Sequence, residues 1–335
     1  MKTPQNKTLQ LLFTAAFLLS ALPLAGRAQT SKELPPMASM RGTGSPVAPV
    51  NPKKFSFVVF GDSQGQENHP TLRAIYKDMK TAASPSPALA LCLGDIIRGE
   101  PTAPFQSKAI EKQLQYSLKW AKRAGIPVYN APGNHEMDDV VSLNPYTEMP
   151  SLQMRLAYEK VIGPTYGAFD YGNSHFIILN TEDVPPPGVP GPPPGSELEF
   201  SYIGTNQLAQ LEADLNANKG KKHIFIAMHY PMYAHDPARD QLYGESRTAL
   251  VNMFAKYSNI AFVVASHEHI YYNPKDPNNV TTVAPYAAGD PTRYLISGGA
   301  GAPFWQGGPQ PWAFHHYLLF EIDGGNVTVT IKRVR

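Results

Sequence analysis

Six short apolar runs, each about the length of one β-strand, constrain most strongly what this chain can fold into. The runs are Phe55–Phe60, Leu89–Leu93, Ile126–Tyr129, Phe176–Leu179, Ile224–Met228 and Ala261–Val264. Strands that are apolar along their whole length are buried on both faces, as in parallel sheets covered by helices. Apolar residues recur at helical spacing between some of the runs, over residues 107–123, 206–217 and 246–257. This alternation predicts an α/β domain with a largely parallel sheet.

The C-terminal part of the chain has a different pattern. Residues 294–297, 317–322 and 327–332 have strand character, with no helical pattern between them. The sequence Asp323-Gly324-Gly325-Asn326 indicates a tight turn between the last two strands. These segments predict a second, more antiparallel sheet.

The N-terminal segment has the features of an export signal. Residues 1–7 carry two lysines and no acid, residues 9–25 are almost wholly apolar, and small residues flank Arg27. The apolar stretch is short for a bilayer span, which needs roughly 20 residues. We therefore expect a signal peptide over residues 1–28, no stable membrane anchor and a periplasmic or secreted protein. Residues 29–52 are rich in Pro and Ser and predict a flexible leader, so that the catalytic domain spans residues 53–335.

Cysteine content and charge narrow the possible functions. Cys92 is the single cysteine, so no disulfide can form within the chain, and it lies in an apolar run as a core residue would. The formal net charge is +2, and no run of Lys or Arg indicates a nucleic-acid partner.

Side chains that bind metals follow five of the predicted strands. They are Asp62, Gln64, Asp95, Asn134, His229, His267 and His269. The carboxyl ends of strands in open α/β sheets line a common ligand crevice, so we expect these side chains to converge. Carboxylates, imidazoles and amide oxygens suit divalent Mn, Fe, Zn or Co.

Five motifs occur in the order that is typical of one enzyme family. They are Gly61-Asp62-Ser63-Gln64, Gly94-Asp95, Gly133-Asn134-His135-Glu136, His229 and Ser266-His267-Glu268-His269. With them, the chain resembles the calcineurin-like metallophosphoesterase superfamily, and more closely its purple-acid-phosphatase-like branch. Residues 167–176 and 298–301 are also similar to that branch. The resemblance implies a four-layer α/β/β/α sandwich, the metallo-dependent phosphatase fold.

The resemblance also implies two divalent metal ions and a role for each motif residue. The first metal would be held by Asp62, Gln64, Asp95 and His269. The second would be held by Asp95, Asn134, His229 and His267, so that Asp95 bridges the two. Two such ions can clamp the attacking and leaving oxygens of an in-line displacement, with a metal-bound hydroxide as nucleophile. His135 would protonate the leaving oxygen or stabilise the transition state.

The motifs depart from the family pattern at three positions. Gln64 stands where many members carry His, and Ser266 stands where Gly is usual. Arg98 replaces the Tyr of purple acid phosphatases, which implies that their tyrosinate–iron charge transfer is absent. Arg98 would then contact substrate phosphate or lie in a surface loop. His69 and His235, in loops after metal motifs, are further candidates for substrate contact, while Glu136 is expected to orient His135.

The function predicted from these features is phosphoester hydrolysis by an exported dinuclear-metal enzyme, most simply a phosphomonoesterase. A phosphodiesterase or nucleotide pyrophosphatase would use the same metals. A third possibility is an exported protein that binds metal or phosphate without catalysis, although the presence of His135 beside a full ligand set favours an enzyme. The substrate would be a phosphorylated small molecule, and the sequence leaves the oligomeric state open.

Overall fold

The computed structural model describes residues 35–65, 70–99, 107–140, 148–189, 199–238, 240–275, 292–304 and 311–334. Its helices are α1 (Pro70–Asp78), α2 (Ser107–Ala121), α3 (Asn134–Met137), α4 (Leu152–Val161), α5 (Thr205–Ala217) and α6 (Gly244–Phe254). Short 3₁₀ turns, Met79–Thr81 and Lys122–Ala124, follow α1 and α2. The strands are β1 (Lys54–Phe60), β2 (Ala90–Cys92), β3 (Val128–Asn130), β4 (Asp138–Val140), β5 (Glu148–Pro150), β6 (Gly167–Tyr171), β7 (Ser174–Ile178), β8 (His223–Ala227), β9 (Ile260–Ala265), β10 (Tyr271–Tyr272), β11 (Arg293–Ser297), β12 (His316–Asp323) and β13 (Asn326–Arg333).

Two mixed sheets form the centre of the domain. The first has the strand order β13-β12-β1-β2-β3, and its strands β1, β2 and β3 are parallel. The second has the order β10-β11-β9-β8-β7-β6, and its strands β7, β8, β9 and β11 are parallel. Strands β4 and β5 form a separate small antiparallel pair. The predicted α/β class is confirmed.

Four layers follow from the alternation of side chains along the strands. In β1, Phe57 and Val59 pack between the two sheets, whereas Val58 and Phe60 pack against α1, α2 and α4. On the far side of the second sheet, α5 and α6 contribute Leu211 and other apolar residues to a third core cluster. Successive residues of a strand point to opposite faces, so the central strands of each sheet are buried on both sides. The predicted four-layer α/β/β/α sandwich is confirmed.

The C-terminal strands do not form a sheet of their own, and that prediction is wrong. The β12–β13 hairpin extends the first sheet beside β1, and β11 joins the second sheet in parallel beside β9. The reason is that β12 is apolar on both faces, with Leu318 directed between the sheets and Leu319 directed towards the helices. A strand with two apolar faces is stable only inside a covered sheet. The tight turn is where the sequence predicts it, with Gly324 at a φ of 62°.

Part of the predicted flexible leader is fixed to the domain. The Ala168 N–H of β6 donates to the Ala38 carbonyl (2.9 Å), and the Met40 N–H donates back to the Ala168 carbonyl (3.2 Å). The Thr43 N–H donates to the Val128 carbonyl of β3 (3.0 Å). Because β3 and β6 are edge strands of the two sheets, residues 38–43 lie along both edges and belong to the folded unit.

The predicted signal peptide lies outside the described residues and stays a prediction. Within the described parts of the chain, none of the helices is long and apolar enough to cross a bilayer.

Candidate metal centre

The loops that carry the candidate ligands have an unusual backbone. In the described part of the chain, five residues other than glycine adopt a positive φ, and all five are candidate ligands. They are Asp62 (62°), Gln64 (45°), Asp95 (54°), His267 (74°) and His269 (50°). Each such conformation costs on the order of 1–3 kcal/mol and persists only where its surroundings enforce it, typically at functional sites.

Asp95 lies between two groups of candidate ligands. It follows β2 and is 1 % exposed. Its Oδ1 lies 3.4 Å from Nε2 of His229. Its Oδ2 lies 3.4 Å from Nε2 of Gln64 and 3.7 Å from Nε2 of His135. The two oxygens of one carboxylate therefore face two separate sets of side chains, as a bridging ligand requires.

The candidate ligands of the second metal surround Nε2 of His229. This nitrogen lies 2.9 Å from Oδ1 of Asn134 and 3.2 Å from Nδ1 of His267. The other ring nitrogen of His229 donates to the Leu93 carbonyl (2.9 Å), which leaves the lone pair on Nε2. Burial lowers the pKa of His229 to about 4, although Asp95 opposes that shift. A neutral imidazole with its lone pair directed at other ligands is suited to bind a metal.

The amide of Gln64, a candidate ligand of the first metal, lies beside another candidate, His269, and beside His135. Its Nε2 lies 2.9 Å from Nε2 of His135 and 3.1 Å from Nε2 of His269. The Nδ1 of His269 donates to the Pro303 carbonyl (2.7 Å), so its Nε2 carries the lone pair. Rotation of the Gln64 side-chain amide by half a turn exchanges Nε2 and Oε1, because the two ends of an amide have nearly the same shape. In that orientation Oε1 is available as an oxygen ligand.

The environment of Asp62 and the two nearby glycines suit the binding of metal ions by the candidate ligands. The buried Oδ1 of Asp62 has no hydrogen-bond partner, and ligand atoms of Asp62, Asp95 and His229 lie within 4.8 Å of one another. Burial and the neighbouring Asp95 raise the pKa of Asp62, as expected for a desolvated carboxylate beside a second carboxylate. A Cβ at Gly133 would lie 2.2 Å from Oδ1 of Asp95, and one at Gly298 would lie 2.3 Å from Oδ2 of Asp62. Glycine thus keeps side chains out of the space beside both carboxylates.

His135 is held at the edge of this centre by the backbone of Arg98. The Nδ1 of His135 donates to the Arg98 carbonyl, and its Nε2 faces Asp95. The side chain of Arg98 is exposed, and its own N–H donates to Oε1 of Gln113 (3.2 Å). Arg98 therefore contributes to the site through its main chain, which the sequence does not predict.

Two carboxylates and a tyrosine that belong to no motif surround His267. Its Nε2 lies 3.5 Å from Oδ1 of Asp240 and 3.4 Å from Oε2 of Glu199. The Tyr230 hydroxyl donates to Glu199 (2.8 Å), and the Tyr230 ring centroid lies 4.0 Å from that of His267. Burial would lower the pKa of His267, but Asp240 and Glu199 outweigh it and raise the pKa to about 9. These groups keep a proton on Nε2 and direct Nδ1 towards His229.

Glu136 has a different role from the one predicted. Its buried carboxylate accepts the N–H groups of Asp95 (2.8 Å), Gly133 (2.8 Å) and Ile97 (3.1 Å), and no hydrogen bond joins it to His135. The prediction that Glu136 orients His135 is therefore wrong. The carboxylate instead ties the loop after β2 to the loop after β3, which fixes the distance between the ligands that they carry.

Glu268 holds a neighbouring loop in the same way. It accepts the N–H groups of His235 (2.8 Å) and Asp236 (2.6 Å). His235 is thereby kept beside the ligand motif, with its ring 5.1 Å from that of Trp312. His69, the other histidine considered for substrate contact, lies outside the described residues.

The fold has two sheets, and its candidate metal ligands follow the carboxyl ends of strands from both of them. The family model for calcineurin-like phosphoesterases matches residues 55–271. Since that match spans more than half of the chain, the protein belongs to the calcineurin-like phosphoesterase family. No curated protein matches the sequence.

Two solved structures illustrate how widely the fold is shared. Purple acid phosphatase PPD1 from yellow lupin (Lupinus luteus) seeds is 16% identical, with a TM-score of 0.58, over 85% of this chain and 53% of the lupin chain. A dimetal phosphatase from Danio rerio is 13% identical, with a TM-score of 0.58, over 83% of this chain and 96% of that chain. The present chain thus spans about half the length of the lupin enzyme. At these identities the likeness shows a common fold.

Proposed function

We propose that this protein is an exported phosphomonoesterase that uses two divalent metal ions of the Mn, Fe, Zn or Co type. The observation that carries the proposal is the position of Asp95, whose Oδ1 faces His229 and whose Oδ2 faces Gln64. One buried carboxylate that serves two ligand sets is what a dinuclear centre requires.

Charge balance favours a phosphate monoester. Two divalent cations carry four positive charges, and the carboxylates of Asp62 and Asp95 offset two of them. The remaining positive charge matches a phosphate monoester dianion better than a diester, which carries a single negative charge. When bound, the cations supply the positive charge that activates water and stabilises the reacting phosphate.

His135 is positioned to act on the leaving oxygen. Its Nδ1 donates to the Arg98 carbonyl, which fixes the ring and directs Nε2 towards the centre. With both ring nitrogens protonated, Nε2 is the donor that can give its proton to the departing alkoxide. The side chain is 28% exposed, so an incoming substrate can reach it.

Paired substrates test this function. The metal-loaded protein is assayed with p-nitrophenyl phosphate and with bis-p-nitrophenyl phosphate, which share a chromophore and differ in charge. We expect a higher kcat/KM for the monoester. Turnover of the diester alone would make the protein a phosphodiesterase, and turnover of neither ester by protein with two bound metals would favour a binding protein.

The export part of the proposal has its own test. The full chain is expressed in a Gram-negative host, the cells are fractionated and the N-terminus of the protein is read by mass spectrometry. We expect a periplasmic or secreted protein that begins after Ala28. An intact N-terminus in the cytoplasmic fraction would contradict it.

A further inference from the structure

Two neighbouring helices gather an unusual number of basic residues on the outer layer that covers the first sheet. We call this surface the basic face. It is formed by α1 with its 3₁₀ turn (residues 70–81) and by α2 with its 3₁₀ turn (residues 107–124). Its basic residues are Arg73, Lys77, Lys80, Lys108, Lys112, Lys119, Lys122 and Arg123, and all are exposed. The whole chain has a formal net charge of only +2, so this charge is concentrated locally.

The two acids in these segments are bound to other groups. Asp78 accepts a hydrogen bond from the Tyr317 hydroxyl (2.6 Å). Glu111 pairs with Lys160 (2.6 Å), which itself borders the basic face. The cations of the basic face therefore outnumber the acids in the same segments, and the acids are engaged away from most of them.

Two grooves lie at the C-terminal end of α2. One, of about 390 Å³, is lined by Arg73, Ala74, Tyr76, Lys77, Lys80, Trp120 and Arg123. The other, of about 420 Å³, is lined by Gln115, Leu118, Lys119, Lys122, Lys160 and Val161. Neither lining includes a carboxylate. A concave surface lined by one sign of charge focuses its field and attracts the opposite charge.

Trp120 orders part of the first groove. The Cζ of Arg123 lies 4.5 Å from the centroid of its indole ring, and the Cζ of Arg73 lies 5.6 Å from it. Such cation–π contacts restrict the guanidinium groups before any ligand arrives. A planar guanidinium is well matched to phosphate oxygens, with which it forms paired hydrogen bonds.

The first groove, at the C-terminal end of α2, lies away from the metal centre. Lys80 packs near Gly125, where a Cβ would lie 3.1 Å from Cε of the lysine. Gly125 precedes β3, whereas the candidate ligand Asn134 follows that strand. The cations of this groove therefore lie at the opposite end of β3 from a substrate held at the metals.

We propose that the basic face binds a linear inorganic polyphosphate chain. Residues three or four apart on a helix lie about 5–6 Å from each other. Arg73, Lys77 and Lys80 along α1 and its turn, and Lys119, Lys122 and Arg123 at the end of α2, therefore form two closely spaced groups that suit a polymer with a charge on every unit. Single-stranded nucleic acid is bound largely by stacking of bases on aromatic rings, and the Trp120 ring already carries two guanidinium groups. A flat lipid surface would not fill two grooves.

The test measures binding at equilibrium with long-chain inorganic polyphosphate. Metal-loaded protein that carries His135→Asn is used, so that turnover does not consume the probe. Affinity is measured by calorimetry over a range of salt concentrations. A triple variant Lys77→Gln, Lys80→Gln and Arg123→Gln is compared with a control of equal charge change, Lys53→Gln, Lys219→Gln and Lys222→Gln, at exposed lysines outside the basic face.

We expect the triple variant to lose affinity and to show a slope of log K against log salt that is smaller by about 2, because each cation on a flexible single chain contributes about 0.7. The control should keep both values. Absence of binding, or an equal loss in the control, would overturn the proposal. Tighter binding to a single-stranded oligonucleotide with as many phosphates, or to phosphatidylglycerol vesicles, would also overturn it.

Discussion

Asp240 lies 3.5 Å from Nε2 of His267, while Nδ1 of the same ring lies 3.2 Å from Nε2 of His229. One imidazole thus connects a carboxylate that is 3% exposed with the candidate ligands of the second metal. Carboxylates in this position fix the orientation and tautomer of a metal-binding histidine and make it a better ligand.

Asp240→Asn should lower the affinity for the second metal and leave the affinity for the first unchanged. Loss of such a supporting carboxylate typically costs about 10–100-fold in metal affinity. Competition with a chelator of known affinity measures the change. Asp236→Asn is the matched control, since Asp236 is nearby and bonds to the Ala238 N–H instead (3.2 Å). Equal affinities in the two variants would remove Asp240 from the metal centre. A third tightly bound ion in the wild-type protein would instead make Asp240, Glu199 and His267 a metal site of their own.

Gly133→Ala should abolish tight metal binding, because its Cβ would lie 2.2 Å from Oδ1 of Asp95. The backbone φ of Gly133 is −117°, which alanine tolerates, so the effect comes from the lost space beside the carboxylate. Gly220→Ala is the control, since no atom lies within 4 Å of the Cβ that it would add. Metal content by elemental analysis, with circular dichroism to verify folding, checks the result. A folded Gly133→Ala protein with the full metal content would contradict the geometry.

His135→Asn should keep the metals and lower kcat by about 10²–10⁴-fold, the usual contribution of a general acid. The decrease in kcat should be smaller for p-nitrophenyl phosphate than for an alkyl phosphate. Nitrophenolate is a stable leaving group without a proton, whereas an alkoxide depends on protonation by the general acid. His223→Asn is the control. His223 lies at the end of the second sheet that is far from the ligands, and its ring bonds to the Gly324 carbonyl (3.1 Å). If His135→Asn turned over both esters at the wild-type rate, His135 would have no part in catalysis.

A histidine remote from the metals should make stability depend on pH. His175, which is 5% exposed, lies 2.7 Å from both Asp170 and Asp214. Burial would lower its pKa, but the two carboxylates outweigh burial and raise it. A histidine whose pKa is higher in the folded state stabilises the fold fully below its unfolded value of about 6.5 and loses that contribution as pH rises through the folded value.

The comparison of wild type with His175→Gln isolates this contribution. Urea unfolding of both proteins at a pH below 6.5 and at an alkaline pH gives the difference in free energy of unfolding at each. We expect the variant to be less stable at the lower pH and the difference to shrink at the higher one. A difference that is the same at both would show that the imidazolium is not what stabilises this part of the sheet.

The sequence predicts the strands that carry the centre, because each ligand directly follows a continuous apolar run. Asp62 follows β1 of the first sheet and His229 follows β8 of the second, and the packing of the two sheets brings their ligand atoms within 4.8 Å of each other. The sheet to which the C-terminal strands belong could not be predicted in this way. Apolar character on both faces places β12 inside a sheet, but only the pairing with β1 decides which one.

The residues that support the metal centre could not be predicted from the sequence, for a related reason. Asp240 and Glu199 stand in no motif, and their contact with His267 arises only when distant loops meet. The basic face is a similar case. No run of Lys or Arg marks it along the chain, yet α1 and α2 bring Lys80 and Arg123 into one groove.

Metal content and turnover, measured on the same sample, test the central claim most directly. The protein is analysed for bound metals and assayed with p-nitrophenyl phosphate as purified, after chelation and after Mn, Fe, Zn or Co is added back. The account predicts about two metals per chain, with activity lost on chelation and restored with the metals. A protein that hydrolyses the ester equally well after its metals have been removed would contradict it.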